Sequence, residues 1–347
     1  MKATVYKGER RVELEEVPDA AIAKCSDAVV DIEYAGVCGS DLWTYRGQGA
    51  SAPSRIGHEF VGTVREVGSE VSSVKPGDWV IVPFRYSDGV CRYCRKGLET
   101  SCIHGGFWGR ESVDAGQGEA ACVPYADGTL VKALPDGSRP DEDVIASLLT
   151  LSDVFTTGYH AATCSRIRSG DTVVVVGDGA VGLCAIMAAR LLGASHIINA
   201  GSSHEDRHLL AKACGADEVI STRGDDAVKA VETLTSGHMS DEVLECVGSA
   251  QSFSTAISMC APGGSVSYVG LPHGVEIDVK SLFYNNITVT GGMSPAHHYI
   301  ARLLPQVLDR SINPGLVYTK EYRLKDIATA YEDMDNRRTI KPLIKVG

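Results

Sequence analysis

The sequence predicts an α/β protein in which an irregular β domain, built from both ends of the chain, receives an inserted doubly wound parallel-sheet domain. Three observations lead there. At 347 residues the chain is long enough for about two domains of roughly 100–200 residues each. Hydrophobic residues make up 44% and charged residues 22% of it, the composition of a chain that folds around a core. Its texture also changes near Thr156, from short β-branched runs separated by Gly and Pro to short apolar strands alternating with helical stretches of roughly 10 to 15 residues.

In chain order, the β runs 28–34, 62–67 and 78–83 are bounded by turn residues and read as strands. Beyond Thr156 the apolar runs 172–177, 196–200, 218–220, 243–247, 265–270 and 288–291 read as strands of a parallel sheet. Residues 180–192, 205–214, 227–234 and 252–259 carry helical apolar spacing between them. After Met293 come a helix near 299–308, a charged helix near 324–335 and a closing strand near 342–346. The expected division is 1–155 and 293–347 for the β domain and 156–292 for the insert.

The formal net charge of −11 repels a phosphate backbone or an anionic membrane surface at long range, so neither nucleic acid nor membrane is an expected partner. The longest apolar or Gly stretch, 180–189, is about half of the ~20 residues of a membrane span. Residues 1–9 build no apolar signal core, so no export is expected. Eleven cysteines in a chain expected to be cytoplasmic read as thiols or metal ligands before disulfides.

Gly177-Asp178-Gly179-Ala180-Val181-Gly182 is a G-x-G-x-x-G run after a strand and at the start of a helix. Gly177 permits the tight turn, Gly179 lets the backbone approach a pyrophosphate, and Gly182 packs helix on strand, while the helix N-terminus offers unpaired N–H donors. With a strand before it, a helix after it and four further βα units in the chain, this reads as a dinucleotide loop. Asp178 reads as a solvated turn residue without a role. In NAD-selective folds an acid about 20 residues beyond the loop grips the ribose 2′-OH. Here that position is Ser202, followed by Ser203, with His204 and Arg207 nearby as partners for a dianion, so NADP is expected over NAD. Glu205 and Asp206 are the opposing signal, and as first-turn residues of a helix they read as solvated.

Cys38-Gly39-Ser40-Asp41, Gly57-His58-Glu59-Phe60-Val61-Gly62 with Gly68 and Val71, Lys75-Pro76-Gly77-Asp78, the loop at Gly177 and Val269-Gly270-Leu271-Pro272 together resemble the zinc-containing alcohol dehydrogenases of the medium-chain dehydrogenase/reductase superfamily. The resemblance covers essentially the whole chain. It implies a GroES-like catalytic domain carrying an inserted Rossmann domain, and a catalytic zinc on Cys38 and His58. The third ligand would come from the stretch 151–160, whose Thr157-Gly158-Tyr159 resembles the family's turn and whose Asp153 stands where members carry Cys or Asp. It further implies cofactor contacts from Ala180, Val181, Val247, Val269 and Gly270. Catalytic zinc takes three N, S or O ligands and keeps a fourth position open, and Cys38, His58 and Asp153 supply one of each. Glu59 is expected beside the site, orienting it or exchanging with water.

Ser40 stands where members use Ser or Thr to accept the substrate hydroxyl's proton. Three residues later Trp43 replaces the histidine that often ends this relay, leaving solvent, ribose or another residue as acceptor. Trp43, Tyr45, Phe107 and Trp108 read equally as cleft walls or as packing. The segment 88–102 resembles the family's structural-zinc lobe, with Asp88 in place of the first cysteine and Cys91, Cys94 and Cys102 as the other ligands. A carboxylate completes a tetrahedral site with unchanged formal charge, so two zinc ions per chain are expected. Cys25, Cys122, Cys164, Cys184, Cys214, Cys246 and Cys260 read as core packing, and His297 and His298 as a solvated loop.

The expected function is zinc-dependent hydride transfer between an alcohol or polyol, or its carbonyl product, and a nicotinamide dinucleotide. An amino-alcohol, sugar or formaldehyde dehydrogenase of the same superfamily remains open, as does a nucleotide-sensing protein without catalysis. Partners are a small-molecule substrate and further copies of the chain, as homodimer or homotetramer.

Overall fold

A computed structural model describes residues 1–49, 51–110 and 113–347. The chain separates into two compact units, Met1–Asp153 with Pro295–Gly347, and Val154–Ser294.

The first unit is built on a seven-stranded sheet. Strands Val131–Lys132, Trp79–Val82, Glu59–Val67, Ala28–Gly36, Lys341–Lys345 and Tyr318–Arg323 lie side by side, and Ala120–Val123 adds to Ala28–Gly36. The pairs are antiparallel except that Lys341–Lys345 runs parallel to Tyr318–Arg323. The strand over 342–346 expected from the tail thus sits mid-sheet, with Leu343 opposite Gly36. Alternating side chains put Val30, Ile32, Phe60, Val64, Val80 and Ile344 into one core with Tyr331. A second sheet orders Arg11–Glu16, Lys2–Gly8 and Ser54–Arg55.

The second unit is a six-stranded, fully parallel sheet in the order Glu218–Ile220, His196–Ala200, Thr172–Val176, Ser240–Glu245, Cys260–Tyr268 and Thr288–Gly291. The chain winds outward to one side through its first three strands and to the other through the next three. That places a topological switch point beside the end of Thr172–Val176, where doubly wound sheets bind ligands. Val173, Val174 and Val175 are fully buried, as a strand covered on both faces requires.

Several expected boundaries moved. The strands read over 243–247 and 265–270 run over Ser240–Glu245 and Cys260–Tyr268, so Val247 lies beyond its strand rather than at its end. Thr157-Gly158-Tyr159 is not a turn but lies inside the helix Val154–Ser165. Gly158 is required there because a Cβ would fall 2.5 Å from the Ala185 backbone of the helix Ala180–Leu191. His297 and His298 open the helix Ala296–Leu308 instead of occupying a loop. Cys25 is exposed rather than packed in a core. Among the described residues, no helix is long and apolar enough to cross a membrane.

Candidate active site and metal centres

Cys38 caps the helix Gly39–Tyr45, His58 enters the strand Glu59–Val67, and Asp153 follows the helix Glu142–Thr150. These three segments are far apart in sequence, yet one donor atom each from Cys38, His58, Glu59 and Asp153 falls within a 4.8 Å group. Asp153 Oδ2 lies 3.2 Å from His58 Nε2 and 3.5 Å from Cys38 Sγ. Burial, then the carboxylates of Asp153 and Glu59, push the Cys38 thiol above its ordinary pKa. Lys341 compensates Glu59, so it is the buried Cys38 thiol and the Asp153 carboxylate, 3.5 Å apart, that cannot readily ionise together without a further cation. That conflict, and the one-each S, N, O donor set with a further carboxylate beside it, fit a zinc.

The donors are held from behind by residues that the sequence reading passed over. Asp41, on the first turn after Cys38, accepts the Cys38 N–H through Oδ2 at 3.0 Å and places Oδ1 3.2 Å from His58 Nδ1. This fixes the ring so that Nε2 faces the other donors. Burial alone would lower the His58 pKa, but Asp41 and Cys38 outweigh it and raise the group well above its usual value. Gln117 donates through Nε2 to Gly36 O at 2.9 Å and to Asp41 Oδ2 at 3.3 Å, and accepts the Tyr331 hydroxyl at 2.8 Å. Asp three residues after the cysteine was the available signal for Asp41; nothing local signals Gln117 or Tyr331.

Glu59 is fully buried and meets Lys341, also fully buried, at 2.7 Å through Oε1 and 2.6 Å through Oε2. Lys341 donates to Val37 O as well, at 3.2 Å. Burial and the Asp153 charge raise the Glu59 pKa while Lys341 opposes them; burial lowers the Lys341 pKa, but Glu59 and Cys38 reverse the sign. Gly36 makes room for the pair, since a Cβ there would lie 2.2 Å from Glu59 Oε2. Ser40 is exposed in the first turn of its helix, and Trp43 is half-buried. Trp108 packs edge-on to Phe60 and Tyr86 and donates to Pro83 O, and Tyr45 stacks near Tyr331, so both belong to the core. Phe107 lies under the Arg85 and Arg110 guanidiniums.

Asp88, Cys91, Cys94 and Cys102 form a second group within 4.8 Å. Cys94 Sγ lies 3.5 Å from Cys91 Sγ and 3.3 Å from Asp88 Oδ1. Backbone N–H groups, Cys94 first, pull the Cys91 thiol down to about 7. Although burial opposes it, the Cys91 N–H, His104 and the Val90 N–H hold the Asp88 carboxyl far below its usual range. A loop aimed this way at a thiolate and a carboxylate fits a second divalent cation.

In the second unit, Gly177 has φ +119° and donates its N–H to Ala200 O at 2.9 Å. Gly182 is needed because a Cβ would lie 2.2 Å from Gly177 O, and around Gly179, Cap of the helix holding Ala180 and Val181, no atom would meet a Cβ within 4 Å. A cradle open at Gly179 and closed behind fits a pyrophosphate. Gly270 comes within 2.2 Å of Gly248 N by the same measure, and Val247 stands exposed beside it, with Val269 half-buried. Ser202 is buried, not open to a ligand, and its hydroxyl donates to Asp178; Ser203 is exposed. Glu205 and Asp206 are exposed in the first turn of the helix Glu205–Ala213, as expected. Arg207 is buried, and its Nη1 lies 3.2 Å from Asp178 O and 3.4 Å from Asp178 Oδ1.

Residues 24–136 match the alcohol dehydrogenase GroES-like domain and residues 180–309 the zinc-binding dehydrogenase domain. "Zinc-type alcohol dehydrogenase B" of Aspergillus flavus is 32% identical over 100% of this chain and 82% of its own length. The chain belongs to the zinc-containing alcohol dehydrogenase family. A sorbitol dehydrogenase of Halalkalibacterium halodurans is 30% identical over 99% of both chains. The alcohol dehydrogenase TADH from Thermus sp. ATN1 superposes with a TM-score of 0.92 at 32% identity, covering 100% of both chains. As a zinc-containing alcohol dehydrogenase, the chain is an oxidoreductase acting on alcohols with zinc and a nicotinamide cofactor.

Proposed function

We propose that this chain oxidises a small alcohol or polyol, or reduces the matching carbonyl, with Cys38, His58 and Asp153 holding the catalytic zinc. The convergence of these donors from three separate segments within 4.8 Å carries the reading. When bound, the zinc supplies Lewis acidity at an open coordination position and the nicotinamide supplies the hydride acceptor. Asp41 orients the His58 ring and the Cys38 backbone, so the donor geometry is set before substrate arrives. Glu59 balances the site's charge against Lys341. Ser40 Oγ accepts the substrate hydroxyl's proton as its own hydroxyl proton passes to water, to which its exposure gives access, with Trp43 standing where a relay histidine would be.

Polyols are favoured as a class by the similarity to the sorbitol dehydrogenase. Asp88, Cys91, Cys94 and Cys102 hold a second, structural zinc in this reading. The exposed Phe283 and Tyr284 on the helix Val279–Asn285, none of whose residues is buried, support a homo-oligomer. The expectation of NADP drew on the lack of a carboxylate at Ser202, the hydroxyls of Ser202 and Ser203, and His204 and Arg207 as partners; Ser203 and His204 are exposed, but Arg207 and Ser202 are both engaged by Asp178 and do not support it.

The test is oxidation of short secondary alcohols and polyols with each nicotinamide cofactor, before chelation, after it, and after zinc is restored. Turnover that disappears and returns with zinc supports the reading. Turnover indifferent to complete zinc removal, or no turnover of any alcohol by zinc-loaded protein that binds cofactor, defeats it.

A further inference from the structure

Asp178 lies between the first two glycines of the dinucleotide loop, and its side chain does not project into solvent. It is 13% exposed and crosses to the end of the neighbouring strand His196–Ala200, where Oδ2 accepts the Ser202 N–H at 2.8 Å and the Ser202 hydroxyl. Gly201 lets the carboxylate in: a Cβ there would come within 3.0 Å of Asp178 Cβ. The result is a carboxylate beside Ser202, the position from which an acid grips the adenosine ribose in NAD-selective doubly wound folds.

We infer that Asp178 selects NAD over NADP in this chain, its carboxylate reaching from the glycine loop to the place left without an acid at Ser202. The inference rests on the reading of Gly177–Gly182 as the dinucleotide loop. A carboxylate there accepts hydrogen bonds from a ribose 2′-OH and repels a 2′-phosphate. Arg207 pairs with this carboxylate and its carbonyl, so the guanidinium is shared with Asp178 and is not left over to receive a 2′-phosphate. The adjoining helix Glu205–Ala213 carries Glu205 and Asp206, both exposed, in its first turn, His204 at its N-cap, and His208, whose Nε2 meets the Ser202 carbonyl. A dianion placed beside Ser202 would therefore meet the Asp178 carboxylate, with the Arg207 guanidinium already paired to it and two further acids in the first turn of the next helix.

Calorimetric titration with ADP-ribose and with 2′-phospho-ADP-ribose tests this without turnover. Wild-type protein is expected to bind ADP-ribose tighter by on the order of 10- to 100-fold, the cost of setting like charges side by side. Asp178→Asn should shrink that ratio by about tenfold or invert it, and Asp178→Ser should do the same, with circular dichroism checking that each variant folds. Equal or tighter binding of the phosphorylated ligand by wild-type protein overturns the inference, as does an unchanged ratio in a folded variant. Binding of neither ligand by folded wild-type protein fails the dinucleotide reading itself.

Discussion

The Lys341 ammonium sits 2.6 Å from Glu59 Oε2 with neither side chain exposed to solvent, although 282 residues separate them. Removing one partner leaves an uncompensated charge beside the metal donors. Lys341→Met is expected to lose about 3–5 kcal/mol of stability, much of it regained in the double variant Glu59→Gln/Lys341→Met. Chemical denaturation of the three proteins checks this; additive losses would mean the two groups are not coupled.

Asp41 holds His58 Nδ1 and the Cys38 N–H, so its effect should appear first in the metal. Asp41→Ala is expected to weaken zinc binding at this site about 10- to 100-fold with cofactor binding retained. Competition with a chelator of known affinity measures it. Unchanged zinc affinity would leave Asp41 as a helix-capping residue only.

The Asp88 lobe predicts two zinc ions per chain in unchelated protein and one in Asp88→Ala/Cys91→Ala. Asp88→Cys alone, which keeps an anionic donor, should retain the second. Elemental analysis decides, and a wild-type content of one zinc removes the lobe from the metal centres.

Ser40 should matter to the rate and not to the metal. Ser40→Ala is expected to lower kcat by a factor on the order of 10² to 10⁴ with zinc content unchanged, as for a positioned proton carrier. An unaltered rate would pass the proton directly to water.

The sequence made the parallel sheet readable because each strand is a short apolar run with a helical period after it: the strands His196–Ala200, Glu218–Ile220 and Thr288–Gly291 fall where periodicity placed them. The helix Val279–Asn285 escaped because its apolar residues face solvent, so burial imposes no pattern on it. Cys38, His58 and Asp153 were legible as donor types at motif positions. Asp178 was not, because its reach to Ser202 depends on how two strand ends meet, and no spacing along the chain encodes that. Lys341 was hidden for the same reason, and because a lysine among charged neighbours near the chain end reads as surface.

A strand from the chain's far end, placed in mid-sheet beside Ala28–Gly36, also sets an order of assembly during synthesis. Cys38, His58, Asp41 and Asp153 leave the ribosome before Val154–Ser294, and Lys341 after it. At ~5–20 residues per second Glu59 waits tens of seconds for its counter-charge, while the nucleotide-binding unit has its whole sequence available earlier. The donor group Cys38, His58, Glu59 and Asp153 is therefore without Lys341 through that interval. Cellular zinc arriving then would meet the donors before the lysine that balances them, which makes the last strand the step that commits the site to its finished charge state.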